Sequence, residues 1–259
     1  MKIWDMHCHL PSPQLTGESL MEQAEQLLEI AGRVGISKLC LFLEVGKPLG
    51  PFSDDEIVRV LERYYDRLYG FVWCDLQQTA ESVDLLQKWV GDGPMVGLKL
   101  GGFSGVCSRR EYAPVFEKAI DLKAVIYQHT WLKVSGNLPN ESTPQDVVDL
   151  AKRYPDYPFI CGHSGGDWEV GIRAVTAAPN VSIGIGGFYP TSGIVESGVR
   201  QLGAERVLYG SDAPGRSFSS QLGKVLGADL PDEHKQMILY DNFDRLMQPI
   251  SRKKGWIAP

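Results

Sequence analysis

Short apolar runs rich in β-branched and aromatic residues recur at residues 3–6, 38–43, 68–74, 95–100, 124–128, 158–161, 181–185 and 206–209, and each reads as a buried strand. Between them the apolar positions fall at helical spacing, in segments 19–34, 53–65, 79–90, 112–120, 143–154, 169–177 and 194–202. Parallel strands need a crossover of a dozen or so residues, and a helix supplies it, so this strict alternation predicts a parallel sheet. Eight strands in a chain of 259 residues predict closure into a (β/α)8 TIM barrel, a single domain over 1–247 with a solvated C-terminal extension at 248–259. An open doubly wound sheet is the weaker alternative, because no Gly-x-Gly-x-x-Gly turn follows the first run. Helix starts are marked as well: Ser53 with Glu56 forms a capping box, and Thr143-Pro144 offers an N-cap followed by proline at the first helical position.

Composition narrows the class. Hydrophobic residues make up 43% and charged residues 22%, ordinary for a globular protein, and the formal charge of -6 argues against nucleic acid or an anionic membrane as partner. The first residues carry Asp5, His7 and His9 where a secretion signal needs an unbroken apolar core, and no apolar run is long enough to span a membrane. Five cysteines without any Cys-x-x-Cys spacing suggest neither disulfides nor a thiolate zinc site. A reducing, cytoplasmic setting and a small-molecule substrate are the natural expectations, and pairing of the barrel with itself is left open.

The chemistry concentrates at strand ends. His7 and His9 close the first run, and on an extended strand alternate side chains share a face, so both imidazoles can reach one point. Cys8 between them should face the packing instead. His129 ends the fifth strand, His163 the sixth and Asp212 the eighth, while Lys99 lies on the fourth. A barrel gathers these ends at one mouth, and four of the five histidines fall there; His234 alone reads as an exposed helix residue. Gly162, Gly165 and Gly166 around His163, and Gly210 before Asp212, suit close backbone approach. Trp131, Tyr189, Arg109 and Arg216 follow strand ends and are candidates for the substrate pocket, the arginines as a bidentate clamp on a carboxylate. Glu44, ending the second strand, is a further ligand or a polar rim residue.

His-x-His on strand one, Gly-Leu-Lys-Leu on strand four, Gln-His-Thr on strand five, Gly-His-Ser-Gly-Gly on strand six and Gly-Ser-Asp-Ala-Pro on strand eight resemble the amidohydrolase superfamily, specifically its amidohydrolase-2 branch of barrel metal hydrolases and decarboxylases. Asn242-Phe243-Asp244-Arg245-Leu246 is similar to the Asn-x-x-Arg-Leu helix that often closes these proteins. The resemblance implies that His7, His9, His129 and Asp212 ligate one divalent metal, Zn²⁺ first and Mn²⁺ second, with Asp212 and His163 as acid/base groups. It also implies a lower-ranked arrangement in which a carboxylated Lys99 bridges two metals and His163 ligates the second. Hydrolysis of a small carboxylate-bearing lactone, ester or amide by a metal-activated water is the first expected activity. Non-oxidative decarboxylation of a carboxylated ring at the same site is the second. A barrel that keeps its metal for stability alone would have no use for His163 beside it.

Overall fold

The computed structural model describes residues 1–45, 52–187 and 191–258. Eight parallel strands follow one another in sequence order around a barrel: β1 Trp4–His9, β2 Lys38–Leu43, β3 Leu68–Cys74, β4 Gly97–Leu100, β5 Val125–Gln128, β6 Phe159–Cys161, β7 Val181–Gly184 and β8 Val207–Leu208. All eight lie where the apolar runs predicted them. The ring closes between β8 and β1 by single bonds: Met6 N–H donates to Tyr209 O at 3.3 Å, Asp212 N–H to His7 O at 2.8 Å and His9 N–H to Ala213 O at 2.8 Å. This is a (β/α)8 barrel in one domain.

The helices wrap the outside: α1 Leu20–Arg33, α2 Asp54–Arg63, α3 Thr79–Leu86, α4 Ala113–Asp121, α5 Pro144–Arg153, α6 Trp168–Val175, α7 Ile194–Leu202, α8 Phe218–Leu226, α9 Asp232–Gln236 and α10 Asn242–Lys253. Ser53 caps α2 and Thr143 caps α5, both through complete capping boxes, and Ser19 does the same for α1. Such caps satisfy backbone N–H groups that a helix start leaves free. The pattern had not predicted α8. Its buried Phe218, Leu222 and Val225 hold helical spacing, but Ser219, Ser220 and Gly223 between them are weak helix formers, so the periodic signal is short and diluted.

The extension expected from residue 248 is not loose. Helix α10 runs through that boundary, buries Ile250 completely, and is followed by Lys254, whose Nζ donates to Val90 O at 2.8 Å and Gly93 O at 2.7 Å. The start of α10 explains its motif: Asn242 Nδ2 donates to Ala204 O and Val207 O, and Arg245 Nη2 to Glu205 O, tying the closing helix to the chain entering β8. His234 sits on α9, half-buried rather than exposed.

Inside the barrel, the rings of His7, Phe42 and Tyr127 lie 4.7–4.9 Å apart in one layer. This aromatic floor supports the strand ends above it. Burying each large ring contributes about 1.5–3 kcal/mol, so the floor is rigid because it is part of the core.

Candidate metal centre and its surroundings

Strand β1 carries one extra residue relative to β2 between Asp5 and Cys8, a bulge that bends its end toward the barrel axis. Beyond it His7 Nε2 and His9 Nε2 lie 3.0 Å apart, while Cys8 is fully buried on the other side with Sγ 3.8 Å from Ser211 Oγ. Asp212 Oδ1 completes a triangle, 3.2 Å from His7 Nε2 and 3.0 Å from His9 Nε2. Asp212 reaches that point because its backbone is left-handed, φ +68°, a conformation that aspartate tolerates better than most side chains.

Two imidazole nitrogens and a carboxylate oxygen facing one centre form a donor set for a divalent metal. The spacing fits: ligand atoms about 2.1 Å from one ion and at right angles to each other lie about 3.0 Å apart, whereas tetrahedral angles would put them about 3.4 Å apart. The three donor atoms, 3.0–3.2 Å apart, are close enough to share one ion. Tyr127 Oη sits 2.8 Å from His7 Nδ1 and orients that ring from behind. Among the described residues this is the cluster of His, Cys, Asp or Glu side chains close enough to share an ion.

The strand-five and strand-six histidines stand beside the trio as a pair. His163 Nε2 lies 3.1 Å from His129 Nδ1, and the His163 ring is 4.9 Å from the His7 ring. His129, expected as a fourth ligand, thus meets the trio by way of His163. His163 Nδ1 is 2.9 Å from Gly186 O; a carbonyl only accepts, so Nδ1 carries the hydrogen and Nε2 presents its lone pair. His163 also takes a left-handed backbone, φ +51°, which is costly for a histidine and points to a functional constraint. Trp131 stacks parallel to His129 and meets His163 edge-on at 5.2 Å.

Burial governs the electrostatics. It pushes His7 down to about 3 against the pull of Asp212, and with the neighbouring charge of His163 it pushes His129 down to about 2. Burial and then the charge of His7 hold His163 well below its ordinary value, so these rings are neutral, as metal ligation and proton acceptance require. Burial alone would raise Asp212, but the charge and hydrogen bond of His7 and the bond from His9 outweigh it and hold the carboxyl below its usual range. Lys99 is 1% exposed; its Nζ stands 4.0 Å from the centre of the Tyr127 ring, 4.4 Å from Phe42 and 5.5 Å from Trp73. Burial lowers it to about 7, with Asp212 opposing the shift.

The remaining pocket candidates divide. Trp131 belongs to the site. Arg109 is exposed beside Glu111, at 3.8 Å, and no contact joins it to the histidines. Arg216 is exposed, and its Nε and Nη1 donate to the carbonyls of Gly187 and Gly215 at 3.4 and 3.1 Å. Tyr189 lies outside the described residues. Glu44 is an exposed rim residue of a cavity of about 240 Å³ that opens from His9 between Phe42, Phe52 and Trp73.

Sequence reasoning had missed Asp5, Tyr127 and Gly187. Asp5 shares the alternation of His7 and His9 and was legible; Tyr127 looked like core. At Gly187, φ +91°, a Cβ would come within 2.1 Å of His163 Nδ1, so only glycine lets the β7 exit close over that ring.

The sequence matches the amidohydrolase family over residues 4–246. The chain belongs to the amidohydrolase family. No curated protein sequence matches it. Among solved structures, this amidohydrolase is similar to 2,6-dihydroxybenzoate decarboxylase from Rhizobium, at 15% identity and TM-score 0.72 over 96% of this chain and 99% of that one. It is similar to 5-carboxyvanillate decarboxylase from Sphingomonas paucimobilis, at 13% identity and TM-score 0.69 over 95% and 99%. A dihydroxybenzoic acid decarboxylase from Polaromonas sp. JS666, with bound manganese and the inhibitor 2-nitroresorcinol, matches at 14% identity and TM-score 0.69 over 96% and 97%. At these identities the likeness is one of fold. No helix among the described residues is long and apolar enough to cross a membrane.

Proposed function

We propose that this member of the amidohydrolase family is a metal-dependent decarboxylase that removes CO2 from a small carboxylated aromatic ring. The observation that carries this reading is the cavity beside His9: its walls are the rings of Phe42, Phe52 and Trp73, flat apolar faces suited to a flat ring. Solved structures of similar fold include decarboxylases of ring acids, one of them with manganese, which favours the same substrate class. Lys99 adds to it, since its Nζ stands over Phe42 and Trp73, two of those walls, and in its protonated form draws an anionic substrate toward them.

His7, His9 and Asp212 would hold one divalent metal, Mn²⁺ ahead of Zn²⁺ because a solved decarboxylase of similar fold carries manganese. When bound, it supplies positive charge that anchors the substrate's oxygens. His163, its Nδ1–H held by Gly186 O, takes up a solvent proton at Nε2 and passes it to the ring carbon as the bond to the carboxyl carbon breaks and CO2 leaves. Trp131 closes the side of the site next to that nitrogen.

Hydrolysis of a lactone, ester or amide, placed first by the sequence alone, is the second reading. Its supporting observation is Asp212, bonded to both imidazoles yet 22% exposed and able to take a proton from an attacking water. Incubating Mn²⁺- and Zn²⁺-loaded enzyme with hydroxybenzoate-type acids and with lactones and esters separates the two. Decarboxylation releases CO2 and, in D2O, leaves deuterium on the vacated ring carbon. Acid release from the esters or lactones without CO2 from any ring acid would sink the first reading and leave the second.

A further inference from the structure

We propose that Asp5, which ligates nothing itself, is the positioning residue of the metal centre, and that its single oxygen Oδ1 sets the spacing between the two strand ends carrying the ligands. The inference rests on the reading of His7, His9 and Asp212 as metal ligands. Asp5 is sealed from solvent, and Oδ1 accepts the backbone N–H of His7 at 3.0 Å and that of Ser211 at 2.9 Å. One donor belongs to a ligand residue and the other to the residue immediately before Asp212.

These two amides are where the ladder fails. The bulge in β1 takes His7 N–H out of register with β2, and β8 ends at Leu208. At the seam, backbone bonds join Met6 to Tyr209 below the gap and His7 to Asp212 above it. Ser211 N–H falls in that gap, and the Asp5 carboxylate is the acceptor that fills it. One oxygen taking two buried N–H groups ties both to one point, so the β1 bulge and the β8 exit are held as one piece. His7 Nε2 and Asp212 Oδ1, 3.2 Å apart, are the side chains displayed by that piece. Both N–H bonds go to Oδ1, so an amide in place of the carboxylate would still serve both N–H groups through one oxygen.

The test compares Asp5→Ala and Asp5→Asn with wild type, measuring Mn²⁺ affinity calorimetrically, the visible spectrum of the Co²⁺-loaded protein, and thermal melting without metal. Asp5→Ala is expected to bind Mn²⁺ about 10–100-fold more weakly with an altered Co²⁺ spectrum. Asp5→Asn, which keeps the double acceptor, should stay within about threefold with the wild-type spectrum. A role in stability alone would lower melting in Asp5→Ala and leave the affinity of the folded protein unchanged, and that result overturns the proposal. Equal loss in Asp5→Asn and Asp5→Ala overturns it too, since charge rather than acceptor geometry would then matter. Should Asp5→Ala fail to fold, Asp5→Asn decides: retained affinity and spectrum support the proposal, and a tenfold loss refutes it. If wild type itself binds no Mn²⁺ or Co²⁺, the metal reading fails and the proposal with it; binding by wild type and Asp5→Ala alike defeats the proposal alone.

Discussion

The two ends of the barrel treat buried polar groups in opposite ways. At the base, where strands begin, two lysines are matched: Lys38 Nζ donates to Tyr240 Oη at 3.2 Å and lies 4.2 Å over Trp4, and Lys254 Nζ donates to two backbone carbonyls. At the mouth, where strands end, the same chemistry is left open. Lys99 faces three aromatic rings, two imidazole nitrogens and a carboxylate converge on one centre, and His163 and Asp212 hold left-handed backbone. A matched group stabilises the fold and does nothing further. A group held apart from its natural partner, at the expense of stability, is available to a metal or substrate.

The comparison is broken most severely if mouth mutations behave like base mutations. Removing a convergent donor with Asp212→Ala should abolish metal binding at micromolar concentration and reduce turnover at least about 10³-fold, with metal content and kcat measured on the same preparation. His163→Asn should lower kcat about 10²–10³-fold while metal content stays at the wild-type level, because His163 stands outside the trio. Loss of metal in that variant would make it a ligand and erase the division of labour drawn here.

A pH series sharpens the contrast. His7 and His129, ordinarily near 6.5, are pushed by burial to about 3 and about 2, and His163 is lowered in the same sense. Below pH 6.5 the unfolded chain therefore binds more protons than the folded one. The stability these rings contribute is present above that pH and is lost as pH falls toward 3, at about 1.4 kcal/mol per group per unit. Metal-stripped protein should therefore melt lower at pH 5.5 than at pH 7.5. A flat profile would mean that the mouth histidines are solvated rather than buried.

At the base the expected effects are smallest. Lys254→Ala leaves two carbonyls to find water and should cost about 1 kcal/mol of stability, and Lys38→Met about 0.5–1 kcal/mol, by denaturant titration. Neither should alter kcat or metal affinity. A change in either constant would show that base and mouth are coupled through the barrel.

Much of this was legible before any coordinates. The β-branched runs and the helical periods between them determined eight strands and favoured the barrel, because strands apolar on both faces must be covered by helices and a chain of this length closes them into a ring. His7, His9, His163 and Asp212 stood out because a parallel barrel brings strand ends to one face. Arg109 and Arg216 were less legible for the opposite reason: loop residues have no period, so nothing local says whether a side chain turns inward or outward. The tail misled because its three basic residues look solvated, while Ile250 just before them anchors the helix to the core.

What only the tertiary structure decided is distance. The sequence determined which donors reach the mouth and the chemistry they offer. Bringing three of their atoms to 3.0–3.2 Å depended on a one-residue bulge, a left-handed Asp212 and a carboxylate at Asp5 bridging two strands 206 residues apart. Those features arise from how β1 and β8 meet when the barrel closes, and no stretch of chain read alone contains that meeting.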